Sequence, residues 1–369
     1  MKESRLKLAK DKADQAVKAT NKAIEKLGSH THELYQSLTA IQHSFDAIRN
    51  IPSKTRIRYE KLKAISLEWK EEAEKIESDN HTATLKNAGA GAAGVGAGVA
   101  VVALGPSAAM GIATTFGVAS TGTAISTLSG AAATNAALAW LGGGALAAGG
   151  GGTAAGGAFL ALAGPVGWAI AGAAILGSGA LFLFERKQKK RLEDVFSLIS
   201  ERDSKSFELA LVEITERITR VEKEIPLLDE ANQNIHTFGL DYEKMSEKEQ
   251  YELGADVNLM NASLQLLVNP ILGLQPRYKE AELDFYLEKH HLRLGHSKKL
   301  LVLSLANLLQ GIPLEEKDWR LLWKTLRKNK DFVHSFRLEK QDFDYPLMEM
   351  VRQALQGPTS KKATIASGR

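Results

Sequence analysis

"LGGGALAAGGGGTAAGGAFLALAGPVGWAIAG", residues 141–172, is the stretch on which the reading of this chain turns. A helix with this much glycine frays in water, where each interior Gly costs about 1 kcal/mol relative to Ala. A solvated loop has no need of so little polarity. The stretch belongs to a longer run: residues 88–184, 97 positions in all, hold no Asp, Glu, Lys, Arg or His and carry 24 of the 32 glycines.

Charge divides the chain around that run. Residues 1–87 hold 17 Lys and Arg against 13 Asp and Glu, and residues 185–369 hold 30 of each. The net charge of +4 is too small and too dispersed to point to nucleic acid. The absence of cysteine excludes a disulfide scaffold, a thiolate metal site and a cysteine nucleophile. The N-terminal "MKESRLKLAKDKADQ" has no apolar core of a signal peptide. The expected location is therefore the cytoplasm while the protein is soluble.

Both flanks read as helical. Leu34, Leu38, Ile41, Phe45 and Ile48 step by four and three, the spacing of a heptad stripe. Pro52 interrupts it, and Leu62, Ile65, Trp69, Ala73 and Ile76 form a second stripe. Upstream, Ala9, Ala13 and Ala16 present a small face that lets helices approach closely. After the run, Phe207, Leu211, Ile214, Ile218, Val221 and Ile225 repeat the heptad pattern, and Pro226 is expected to end it. Shorter helical patterns follow near 246–268, 277–293, 298–310, 314–328 and 345–356. The predicted fold is all-α, with long amphipathic helices bundled around or beside an apolar hairpin region. The division is a helical arm over 1–87, the charge-free region over 88–184 and a long heptad helix over 185–235. A C-terminal helical domain over 236–356 and a disordered tail over 357–369 complete it.

A membrane-crossing helix needs about 20 mostly apolar residues. Residues 158–184 meet that requirement well; 88–104 and 108–128 are long enough, but their Ala, Gly, Ser and Thr make them marginal. Residues 131–148 are intermediate. The basic cluster Arg186, Lys187, Lys189, Lys190 and Arg191 favours a cytoplasmic flank. With both arms on that side the number of crossings is even, two or four. Glycine then has a physical use, because small residues let helix backbones pack closely in a bilayer. Gly94/Gly98 and Gly152/Gly156 have the Gly-x-x-x-Gly spacing, and Gly164, Gly167, Trp168, Gly172 and Gly177 extend the packing and insertion surface. Three fates fit this composition: a permanent soluble core or spacer, a permanent anchor, or a segment sheltered in one state and inserted in another.

Long amphipathic helices flanking a charge-free, glycine-rich region resemble the layout of α-helical pore-forming proteins of the cytolysin A type. The apolar region is similar to that of the apolipoprotein L family. The resemblance covers the arrangement of residues 30–225 and implies a hairpin that is hidden in the soluble form and enters a bilayer on assembly. The expected partners are a lipid bilayer, further copies of the chain in the membrane, and an activating or immunity-type protein. Two alternatives are a membrane-anchored coiled-coil scaffold and a phage-type structural or injected protein.

Other motifs carry less. "GAGAAG" at 89–94 has the spacing of a dinucleotide loop but lacks the preceding strand and the following acidic residue. Histidines at 30 and 32 and at 290, 291 and 296 lack the spacing of a helical zinc site and are expected to face solvent or a partner. Because histidine titrates near neutrality, such a cluster is a candidate trigger. In "KDWRLLWKTLRKNK", residues 317–330, Trp319 and Trp323 share a face with Leu322 and Leu326, as in an interfacial helix or a core-facing one. Paired carboxylates such as Glu315/Glu316 are expected on solvated faces. No catalytic constellation, cofactor motif or metal site is present in the sequence, and no enzymatic role is expected.

Overall fold

The computed structural model describes residues 5–89 and 186–356, apart from 276, 330, 331, 334, 335 and 337. Among them there are eight α-helices and no strand: α1 (Arg5–Asp46), α2 (Ser53–Gly89), α3 (Arg186–Thr237), α4 (Glu247–Val268), α5 (Glu280–Lys289), α6 (His296–Leu309), α7 (Glu316–Lys328) and α8 (Tyr345–Gln356). Short 3-10 turns at Tyr242–Lys244 and Leu272–Leu274 bracket α4.

The heptad stripes form one core. Leu34, Leu38 and Ile41 are fully buried, and Phe45 and Ile48 nearly so. From α3, Phe207, Ile214, Ile218 and Val221 meet them in the same cluster. The two helices run parallel at a fixed offset. Arg5 pairs with Glu201 at 3.0 Å, Lys12 with Glu208 at 3.1 Å and Lys26 with Glu222 at 2.9 Å. The expected small face makes the approach close: Ala9 is buried, Ala16 and Ala23 pack against the core, and the Thr20 hydroxyl donates to the backbone oxygen of Phe207 at 3.3 Å. At the upper end the connections knit together, with the Arg49 amide donating to Leu240 O and the Tyr242 amide to Arg49 O.

α2 and α4 descend along this pair. The Tyr59 hydroxyl donates to Gln42 O at 2.9 Å and to Asp46 at 2.8 Å, and Tyr35 stacks on Trp69 further down, so α2 is antiparallel to α1. Contacts of α4 and its exit run down α3 in reverse order: Ser263 to Glu224, Arg217 to Asn269 O, the Gly273 amide to Glu213, and Arg277 to Ser206. Leu253, Val257, Met260 and Leu264 thereby join the core of α1 and α2.

Pro226 does not end α3, which continues to Thr237. An interior proline costs about 3 kcal/mol. Against that, Leu228, Ala231 and Ile235 extend the buried stripe beyond it, and each large apolar side chain contributes about 1.5–3 kcal/mol. Pro226 itself is exposed, so the carbonyl it leaves unpaired, that of Glu222, lies toward water.

A second core wraps the first turns of α3. Leu192, Val195, Phe196 and Ile199 pack with α5 to α8, and every residue of α6 from Leu301 to Leu309 is buried. α6 is therefore the centre of this core. α3 is common to both cores, and between them, at Ser200, Asp203 and Ser204, its buried face becomes polar.

Candidate functional site: the lower end of the bundle

α2 runs down toward the lower end as far as Gly89, and α3 rises from Arg186, its own first turn, in the opposite direction. The chain therefore leaves for residues 90–185 from one descending helix and returns at the foot of an ascending one. Gly94, Gly98, Gly152, Gly156, Gly164, Gly167, Trp168, Gly172 and Gly177 lie outside the described residues, as do most of the GAGAAG stretch and the tail over 357–369.

The basic collar at the foot of α3 is divided. Arg186, Lys187, Lys189 and Lys190 are exposed. Arg191 is held instead by the start of α7: its guanidinium donates to Glu315 and to both carboxylate oxygens of Asp318. These hydrogen bonds raise the Arg191 pKa further. Asp318 also accepts the Glu315 amide at 2.8 Å as half of a capping box, so one carboxylate closes a helix end and ties α3 to the second core. Glu316 accepts from Arg320, Tyr345 and Arg352, linking α7 to α8. Glu315 and Glu316 are exposed, as expected of a solvated pair, and they also tie α7 to Arg191, Tyr345 and Arg352, partners too remote in sequence to be signalled there.

The Trp319/Trp323 face is used internally. Trp319 is buried beside the fully buried Leu322 and Leu326. Trp323 is partly buried and its indole N–H donates to Phe343 O at 3.1 Å. In this conformation the apolar face of α7 is covered by the second core.

Higher on α3 lies a buried polar node that sequence reasoning missed. Asp203 is almost wholly enclosed and accepts from Arg202 at 2.9 Å and from Arg277 at 3.1 Å. Burial raises its carboxyl pKa, with the two guanidinium groups opposing. Burial likewise pushes Arg277 down to about 10, against the pull of Asp203. Arg202 also donates to Gln310 O at 2.6 Å. The only sequence sign was the polar "SERDS" run, 200–204, where the heptad stripe pauses.

The histidines are scattered. His30 sits between Glu222, 3.2 Å from Nε2, and Glu33, 3.5 Å from Nδ1. His290, His291 and His296 are exposed around the α5–α6 turn. No group of three or more His, Cys, Asp or Glu able to hold a metal ion occurs among the described residues.

Among the described residues one helix is long and apolar enough to cross a membrane, the stretch 247–274 built on α4. Half of its apolar window is buried in the bundle, so its apolarity already has a use as core. The chain matches no family model, no curated protein and no solved structure.

Proposed function

We propose that this protein delivers its charge-free region into a lipid bilayer as a pore-forming or membrane-permeabilising effector, and that copies assemble through glycine-zipper helices. The observation that carries the reading is topological. A run of 97 residues without one ionisable side chain joins two antiparallel helices of a well-packed bundle. Its two ends leave toward the same end of the molecule, as an even number of crossings requires. The exposed Arg186, Lys187, Lys189 and Lys190 supply the cationic flank that stays on the near side of a membrane. In this reading the protein is cytoplasmic while soluble, takes no cofactor, and answers to an activating or immunity-type protein.

The test is release of a trapped dye from liposomes by detergent-free protein, with sedimentation recording what binds. Release by protein that was soluble beforehand supports the reading. Soluble protein that neither binds nor releases dye sinks it in favour of a small-residue core. Protein recovered only in membranes favours the anchored scaffold.

A further inference from the structure

The α5–α6 turn carries a concentration of basic side chains for which the fold has no use. Residues 289–298, "KHHLRLGHSK", contain Lys289, His290, His291, Arg293, His296 and Lys298 and no carboxylate. All but the half-buried Lys298 are exposed. Among the described residues none of these six makes an ion pair, whereas the adjacent Lys299 makes two, to Glu280 and Asp284, each at 2.7 Å. Lys299 clamps α5 to α6, and the other end of the hairpin is closed by Asn307, which accepts the Tyr278 amide at 2.9 Å and donates to Tyr278 O at 2.8 Å. That closed end adjoins the Asp203 node through Arg277. The basic turn lies at the opposite end of α6, about 20 Å away for a helix of this length.

Two apolar side chains stand among the charges. Phe285 is 55% exposed and Leu292 37% exposed, while the His290 ring packs on Tyr286 with centroids 4.6 Å apart. His291, with a φ of 54°, reverses the chain after α5, and the turn is closed by the Leu292 amide donating to Leu287 O at 2.8 Å. Glu288 is the one exposed carboxylate beside it on α5 that has no cationic partner among the described residues.

We infer that the α5–α6 turn is a docking surface for an anionic bilayer, with Lys289, Arg293 and Lys298 facing lipid headgroups and Phe285 and Leu292 entering the interface. Unpaired cations around exposed apolar side chains suit a surface that is negatively charged and apolar just beneath. A simple polyanion offers the charge without the apolar layer. The inference rests on the membrane reading above and deepens it, because docking precedes delivery.

The experiment is sedimentation of the full chain with vesicles of phosphatidylcholine alone or with added phosphatidylserine, beside the triple variant Lys289→Glu, Arg293→Glu, Lys298→Glu. Dye release is read on the same samples, and circular dichroism confirms that the variant folds. The wild type is expected to bind the phosphatidylserine vesicles preferentially, and the variant to bind them roughly 100-fold less, at several-fold per cation. The single variant Leu292→Ser is expected to weaken binding while leaving the preference for phosphatidylserine intact. Equal binding of both proteins, or equal binding to both vesicles, overturns the inference. So does capture by polyglutamate with no binding to vesicles. Charge-dependent binding without dye release upholds docking and counts against insertion. Release that ignores both phosphatidylserine and the triple variant removes docking and leaves insertion standing.

Discussion

Gly273 lies against the backbone of Ala210: a Cβ built on it would meet the Ala210 nitrogen at 2.4 Å and the Ser206 oxygen at 2.5 Å. Here the turn leaving α4 presses on α3, and the Gly273 amide donates to Glu213 at 2.9 Å. The contact is backbone on backbone, so no side chain can rotate away. Gly273→Ala is expected to cost about 3 kcal/mol, the upper end for an overpacked site. Gly254, inside α4, has nothing within 4 Å of the same position. Gly254→Ala is expected to stabilise the protein by about 0.5–1 kcal/mol through helix propensity. Thermal melts of the two variants check both signs.

Asp256 is half-buried on α4, and its Oδ2 has no hydrogen-bond partner. Burial, with a smaller contribution from Glu252, raises its pKa to about 6. The folded state therefore holds this proton more tightly than the unfolded chain does. The penalty is absent well below the ordinary carboxyl value of about 4, grows as pH rises through 6, and is complete at neutrality. Asp256→Asn is expected to stabilise the fold at pH 7 by about 1 kcal/mol, a figure discounted for partial exposure. Melting temperatures of variant and wild type should converge as pH falls toward about 4.

These two residues mark what the sequence did not disclose. The heptad stripes were legible because burial follows a local period: every residue from Leu34 to Ile48 in the first stripe is core. The parallel offset of α1 and α3 was not, since it depends on pairs such as Lys26 and Glu222 that lie 196 residues apart. Pro226 misled because its cost is local, while the burial of Leu228 and Ile235 that offsets it is tertiary. Trp319 and Trp323 showed their amphipathic face but not what covers it. At the lower end, the exposed cations were readable, yet the capture of Arg191 by Asp318 was not.

The tie between Arg191 and Asp318 is expected to be a local point of weakness. Asp318→Ala removes the Glu315 capping box and leaves Arg191 with Glu315 alone. Loss of a helix cap and a charged hydrogen bond costs about 2 kcal/mol. The effect should fall on the second core. Hydrogen exchange is expected to accelerate across residues 296–328 and to stay unchanged across 34–45, where the packing is independent of α7. Acceleration in both regions alike would mean that the two cores unfold as one unit.

The glycine spacing gives the sharpest test of assembly. Close helix contact needs a face without side chains, and leucine at that face separates the backbones while raising hydrophobicity. Replacing Gly94, Gly98, Gly152 and Gly156 with Leu therefore sets two ideas against each other. If hydrophobicity alone governs delivery, the variant should permeabilise liposomes at least as well as wild type. If helix–helix packing governs it, dye release should fall at least tenfold, with vesicle binding and arm helicity retained. We expect the second outcome, checked by dye release alongside crosslinking of the membrane-bound protein. Wild-type release with wild-type crosslinking would rule out the zipper.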